Sequence, residues 1–115
     1  MPAGSVNINE RISITSTNTY SKCYEFTAPC NGYLDLCVVP RYQYSQPKGS
    51  IISLADNTTS YNAVAYNEEI NAVGITSCSV SGLYLAKNSK VYVFTKYSSA
   101  ASNLVDITGR FTATV

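Results

Sequence analysis

Two stretches of this chain alternate between aliphatic and other side chains in strict register. From Tyr33 to Val38, Leu34, Leu36 and Val38 take one parity, and Tyr33, Asp35 and Cys37 take the other. On either side of Lys87-Asn88-Ser89-Lys90, Leu83, Leu85, Val91 and Val93 form one set, which leaves Tyr84, Tyr92 and Phe94 as the opposite one. A period of two is strand geometry, because successive side chains of an extended chain point to opposite faces. Composition agrees, since ten Tyr and three Phe stand among many Val, Ile and Thr residues while good helix formers are sparse. The expected class is all-β, and 115 residues suit one domain.

The remaining segments fill in around these stretches. Val6, Ile8, Ile12 and Ile14 share one parity and predict an extended N-terminal segment; residues 1–15 serve as a first strand or as an anchor preceding a domain over 16–115. Tyr20 to Thr27 reads as a strand ended by the turn residues Pro29, Asn31 and Gly32. Arg41 to Ser50 has little apolar periodicity and reads as a long surface loop. Ile51 to Leu54, Tyr61 to Tyr66 and Val73 to Val80 predict short strands. Leu83–Ala86 and Val91–Phe94 predict a hairpin, and Leu104 to Val115 predicts a closing segment with Gly109 as a bulge or bend.

Charge and residue types narrow the chemistry. Charged residues are 13% of the chain and the net charge is +1, so no basic footprint points to nucleic acid. No apolar run approaches a membrane span, and the N-terminus has neither a basic leader nor an apolar core, so an untargeted, soluble chain is expected. Histidine is absent, which removes the base of a Ser-His-Asp triad. Lys48-Gly49-Ser50 lacks the preceding glycine and the following helix of a phosphate-binding loop. Among Asp35, Asp56, Asp106, Glu10, Glu25, Glu68 and Glu69, only Glu68-Glu69 are adjacent, and neighbours on a strand face opposite ways, so no carboxylate pair for glycoside hydrolysis is expected. Asn57-Thr58-Thr59 is formally a glycosylation sequon and reads as turn chemistry. Cys23, Cys30, Cys37 and Cys78 include no C-x-x-C pair, so neither a metal nor a cofactor is expected. They read as buried thiols of a reducing compartment, with Cys23 and Cys37, facing each other across a hairpin centred on Cys30, as the disulfide alternative.

The aromatic parity has two readings. Tyr84, Tyr92 and Phe94 lie outside the core set, and either a second layer covers them or they form a subunit interface, which Tyr33 and Cys37 would extend. In the loop, Tyr42, Tyr44 and Gln46 are candidate ligand contacts, because tyrosine and amide side chains suit sugar stacking and hydrogen bonding.

A family resemblance bears on these readings. Phe26-Thr27-Ala28-Pro29-Cys30-Asn31-Gly32-Tyr33-Leu34-Asp35-Leu36 resembles the F-x-x-P-x-x-G-x-Y-x-F signature of tumour-necrosis-factor-like and complement-type jelly rolls. Phe26, Pro29 and Gly32 match, while Leu34 and Leu36 stand where the family has buried aromatics. Leu83 to Val93 resembles the family's L-x-L-x-x-G-D-x-V-x-V segment, with Asn88-Ser89 replacing Gly-Asp. The variant F-T-A-P-x-x-G-Y-L, in a chain rich in Ser, Thr and Asn, is similar to terminal domains of bacteriophage tail fibres and capsid-surface fibres. The resemblance implies an antiparallel β-sandwich, a jelly roll of ten strands or similar, assembled as a homotrimer, with Tyr33, Asp35, Cys37, Tyr84, Tyr92 and Phe94 on an inner sheet facing the threefold axis. It implies a non-enzymatic virion component, a fibre head or head-fibre decoration assembled in the host cytoplasm. Its partners would be other virion proteins and a host surface glycan. A structural capsid or neck protein without a host ligand, or a binding module of the same fold, is the alternative.

Overall fold

A computed structural model describes residues 3–16, 18–57, 62–68 and 76–114. Among these described residues eight strands follow in order: β1 (Val6–Ser16), β2 (Ser21–Thr27), β3 (Gly32–Pro40), β4 (Pro47–Ser53), β5 (Ala63–Glu68), β6 (Cys78–Leu85), β7 (Lys90–Tyr97) and β8 (Ala101–Ala113). They form two four-stranded sheets, ordered β1-β8-β3-β6 and β2-β7-β4-β5, and every paired neighbour is antiparallel. The fold is an antiparallel β-sandwich. First pairs with last, second with seventh, third with sixth and fourth with fifth, as when one long antiparallel ribbon is folded over on itself.

The alternation in β3 is realised as read: Leu34, Leu36 and Val38 are buried, Tyr33 and Asp35 are exposed, and Cys37 is half-buried. The inner faces meet in a core that includes Ile8, Phe26, Ile52, Val91, Val93, Val105, Ile107 and Phe111, with the Phe26 and Phe111 rings 5.5 Å apart. Residues 6–16 are not a separate arm, because β1 pairs with β8 without interruption from Val6–Phe111 to Ser16–Ala101.

Several expectations are corrected. Leu83–Phe94 is not a hairpin: β6 pairs with β3 in one sheet, and β7 lies between β2 and β4 in the other. Parity determines which face of a strand is buried, but a four-residue connection serves a crossover between packed sheets as well as a hairpin. The same holds for β2 and β3, so the Phe26–Gly32 segment is a corner between sheets. Ala28 NH donates to Ser89 O (2.9 Å), Asn88 NH to Ala28 O (2.8 Å) and Lys87 NH to Asn31 Oδ1 (2.8 Å), so the two corners brace each other. Asn88, at φ 71°, occupies the left-handed region, which asparagine adopts more readily than most residues. All four cysteines are free, so the Cys23–Cys37 disulfide is not formed; Cys37 takes the outward parity of β3 while Cys23 packs against the core.

The loop expected over 41–50 ends at Gln46, and Lys48-Gly49-Ser50 belongs to β4, with the Tyr20 ring lying across Gly49. The strand expected over Val73 to Val80 begins at Cys78; residues 73–75 lie outside the described residues. Gly109 is not a bulge, since its register with Ile8 and Leu36 is continuous. A Cβ at this position would enter the Asp35 carbonyl oxygen, so glycine is required there for the close approach of β3.

Candidate contact surfaces

The six residues read as one aromatic patch are divided between two outer faces. Tyr33, Asp35, Cys37 and Tyr84 share the β1-β8-β3-β6 sheet, whereas Tyr92 and Phe94 lie on β7 in the other. Tyr33 and Tyr84 are cross-strand partners whose rings meet edge to face at 5.5 Å, and each remains about half exposed. Around them the register brings together short or mutually engaged side chains. Asn9, Thr108, Cys37 and Ser79 form one row, and Asn7, Arg110 and Asp35 form the next. Asp35 Oδ1 also accepts from Gly82 NH (2.8 Å), where β6 slips register against β3 and Gly82 adopts φ 65°. None of the five lysines lies on this face: Lys22, Lys90, Lys96 and Lys48 are on the other sheet, and Lys87 is in the β6–β7 turn.

The opposite outer face has a different chemistry. Lys22 Nζ bonds Asp56 (2.9 Å), so the connection after β4 reaches back across β7 to β2. Phe94 and its partner Ile51 are buried there, at 4% and 2% exposure, and Lys22 lies over the half-buried Tyr92 ring. Lys90 pairs with Glu25 (3.0 Å), while Glu68 is held by Lys96 and accepts from Tyr66 OH (2.7 Å). These two donors keep the Glu68 carboxyl below its ordinary range, which is a fixed anion and not a poised acid. Asp35 and Glu68 therefore lie on opposite outer faces, each engaged by its own donors.

The β3–β4 loop, residues 41–46, is pinned along its length. Arg41 NH donates to Leu104 O (2.8 Å), and Gln46 and Ser98 exchange bonds of 3.1 and 2.8 Å. Between these ends Asn103, fully buried on β8, accepts from Tyr44 NH (2.9 Å) and Ser45 NH (3.3 Å) and donates to Ser45 Oγ (2.9 Å). Tyr42 and Tyr44 nonetheless stay 71% and 70% exposed. Gln46 is half-buried, and its backbone bonds to Ser98 tie the loop to the β7–β8 turn. The sequence does carry a signal for Asn103: it falls on the inward parity of Val105 and Ile107, where a polar residue must find internal partners.

Asp106 anchors the base of this loop. Arg11 grips it from β1 at 2.7 and 3.1 Å, and Arg41 stands 3.5 Å away. The Arg11 hydrogen bonds are the main reason its carboxyl sits below the usual range. A depressed folded pKa contributes stability above the unfolded value of about 4 and loses it as pH falls through the folded value. Asp106→Asn should thus be less stable than the parent at pH 7 and indistinguishable from it in strong acid, as read by urea midpoints across pH.

The thiols belong to the interior. Burial pushes Cys23 up to about 12, and burial also raises Cys78, so both stay protonated at neutral pH. Among the described residues no cluster of three or more His, Cys, Asp or Glu side chains is placed to hold a metal ion. Comparison of the chain with protein-family models, with curated proteins and with solved structures returns no match.

Proposed function

We propose that this protein is a non-enzymatic, homotrimeric display component of a bacteriophage virion, a fibre head or capsid decoration that adheres to a host surface. The strand order β1-β8-β3-β6 over β2-β7-β4-β5, with the first strand paired to the last, supports a jelly-roll reading. The resemblance around Phe26, Pro29 and Gly32 gains a physical basis: a Cβ on Gly32 would come within 2.5 Å of the Phe111 ring and of Thr112 O, beside the Phe26–Phe111 contact.

The observation that carries assembly is the one-sided surface. Interface cores are enriched in Tyr and Arg and depleted in Lys, and the outer face of the β1-β8-β3-β6 sheet combines the Tyr33–Tyr84 pair with Arg110 and no lysine. Assembly through this face gives an adhesive protein its mechanism, since three weak sites on one rigid body gain avidity on a repetitive host surface.

Light scattering tests it. The chain should have a mass near three times 12.4 kDa, which falls to the monomer in Tyr33→Ser/Tyr84→Ser and is unchanged in Tyr92→Ser. A parent chain that stays monomeric at every concentration would overturn the assembly.

A further inference from the structure

We propose that the end of the sandwich bearing the β3–β4 loop binds an uncharged oligosaccharide. This rests on the adhesive reading above and names the class of ligand.

The fold gathers the β1–β2, β3–β4, β5–β6 and β7–β8 connections at that end, since Glu68 at the close of β5 pairs with Gly49 and Cys78 at the start of β6 pairs with Val38. Ser98, in the β7–β8 turn, bonds Gln46 of the β3–β4 loop, and Ser16 pairs with Ala101, so the β1–β2 connection starts beside the same turn. Backbone bonds at Arg41, Tyr44, Ser45 and Gln46 already order the loop. Two large rings held in water on an ordered backbone oppose the hydrophobic effect, while the ordering cost of binding through them is reduced in advance.

The charge balance indicates what such a surface can take. Among the described residues of these four connections, Arg41 is the only charged one, and Asp106 lies 3.5 Å from its guanidinium. Recognition of sulfate, carboxylate or phosphate draws on unpaired cations, and the described residues of these connections hold none. The same described residues include no Leu, Ile, Val or Met. The surface instead offers the rings of Tyr42 and Tyr44 with the exposed amides of Gln43 and Asn18. Ring faces suit the C–H faces of a pyranose, and amides suit its hydroxyls in both directions.

The test uses the full chain coupled densely to beads, so that valency does not depend on self-assembly. One probe panel carries neutral oligosaccharides of glucose, galactose, mannose and N-acetylglucosamine, and the other carries sialylated and sulfated oligosaccharides. The expected result is capture of a neutral probe that changes little between low and high salt, weakens about tenfold or more in Tyr42→Ala/Tyr44→Ala, and is unaffected by Tyr84→Ser. Both loop rings are largely exposed, so the double variant should keep the parent's circular dichroism. Binding confined to the anionic panel, binding to neither panel, or neutral binding indifferent to Tyr42 and Tyr44 would each overturn the inference. A monomeric chain that still captures neutral sugar on beads would sink the trimer and leave this site standing.

Discussion

Gly109→Ala is expected to lower the unfolding free energy by about 3 kcal/mol, the upper end of the usual overpacking cost. Gly109 lies mid-strand in β8 between β1 and β3, with Ile8 and Leu36 as partners. An added Cβ would be driven into the carbonyl oxygen of Asp35 and would lie 3.1 Å from Leu36 Cα, all backbone atoms of a central strand. Backbone held in a ladder on both edges cannot swing aside as a side chain does, so β3 and β8 would have to separate. Gly82→Ala is the control: its Cβ meets nothing within 4 Å, and only the φ of 65° opposes it, for a cost of about 1 kcal/mol. Urea unfolding should show a large drop in midpoint for the first variant and a small one for the second, with the slope unchanged. Equal losses would refute the close-approach role.

Asn103→Ala should cost about 2–3 kcal/mol and release the tyrosine loop. The substitution removes three hydrogen bonds and leaves the Tyr44 and Ser45 amides without the acceptor they share; an orphaned buried donor forfeits its desolvation cost in full. Hydrogen exchange provides the sharper readout. The amides of Tyr44 and Ser45 should lose protection selectively while those of β3 and β8 keep theirs. Uniform loss of protection would mean that Asn103 holds the whole sandwich together and has no special hold on the loop.

Much of the architecture was legible locally. The alternation of Leu34, Leu36 and Val38 against Tyr33, Asp35 and Cys37 gave both the strand and its buried face, because a period of two has one reading on a pleated surface. The Asn31-Gly32 turn and the short β6–β7 connection were legible for the same reason, as local chemistry. Pairing was not. Tyr84 and Tyr92 were read onto one face because Leu83–Phe94 resembles a hairpin, yet β6 and β7 sit in different sheets. Of the candidate contacts, Tyr42 and Tyr44 are exposed rings on the loop, and Gln46 is half-buried. Asn103 and Asp106, which fix that loop, are 58 or more residues from most of what they hold, and no local pattern reaches that far.

By itself the sequence determined that this chain is all-β, which residues face the core, and where several strands end, since these follow from side-chain period and turn chemistry. Only the tertiary structure decided which strands share a sheet, and with that the fate of each outward aromatic. Tyr33 and Tyr84 meet on a face free of lysine. Phe94 is buried on the other face, across which Asp56 reaches back to Lys22. The physical reason is that hydrogen bonding between strands is indifferent to side-chain identity along the ladder, so partner choice is made by how the whole ribbon folds over its core.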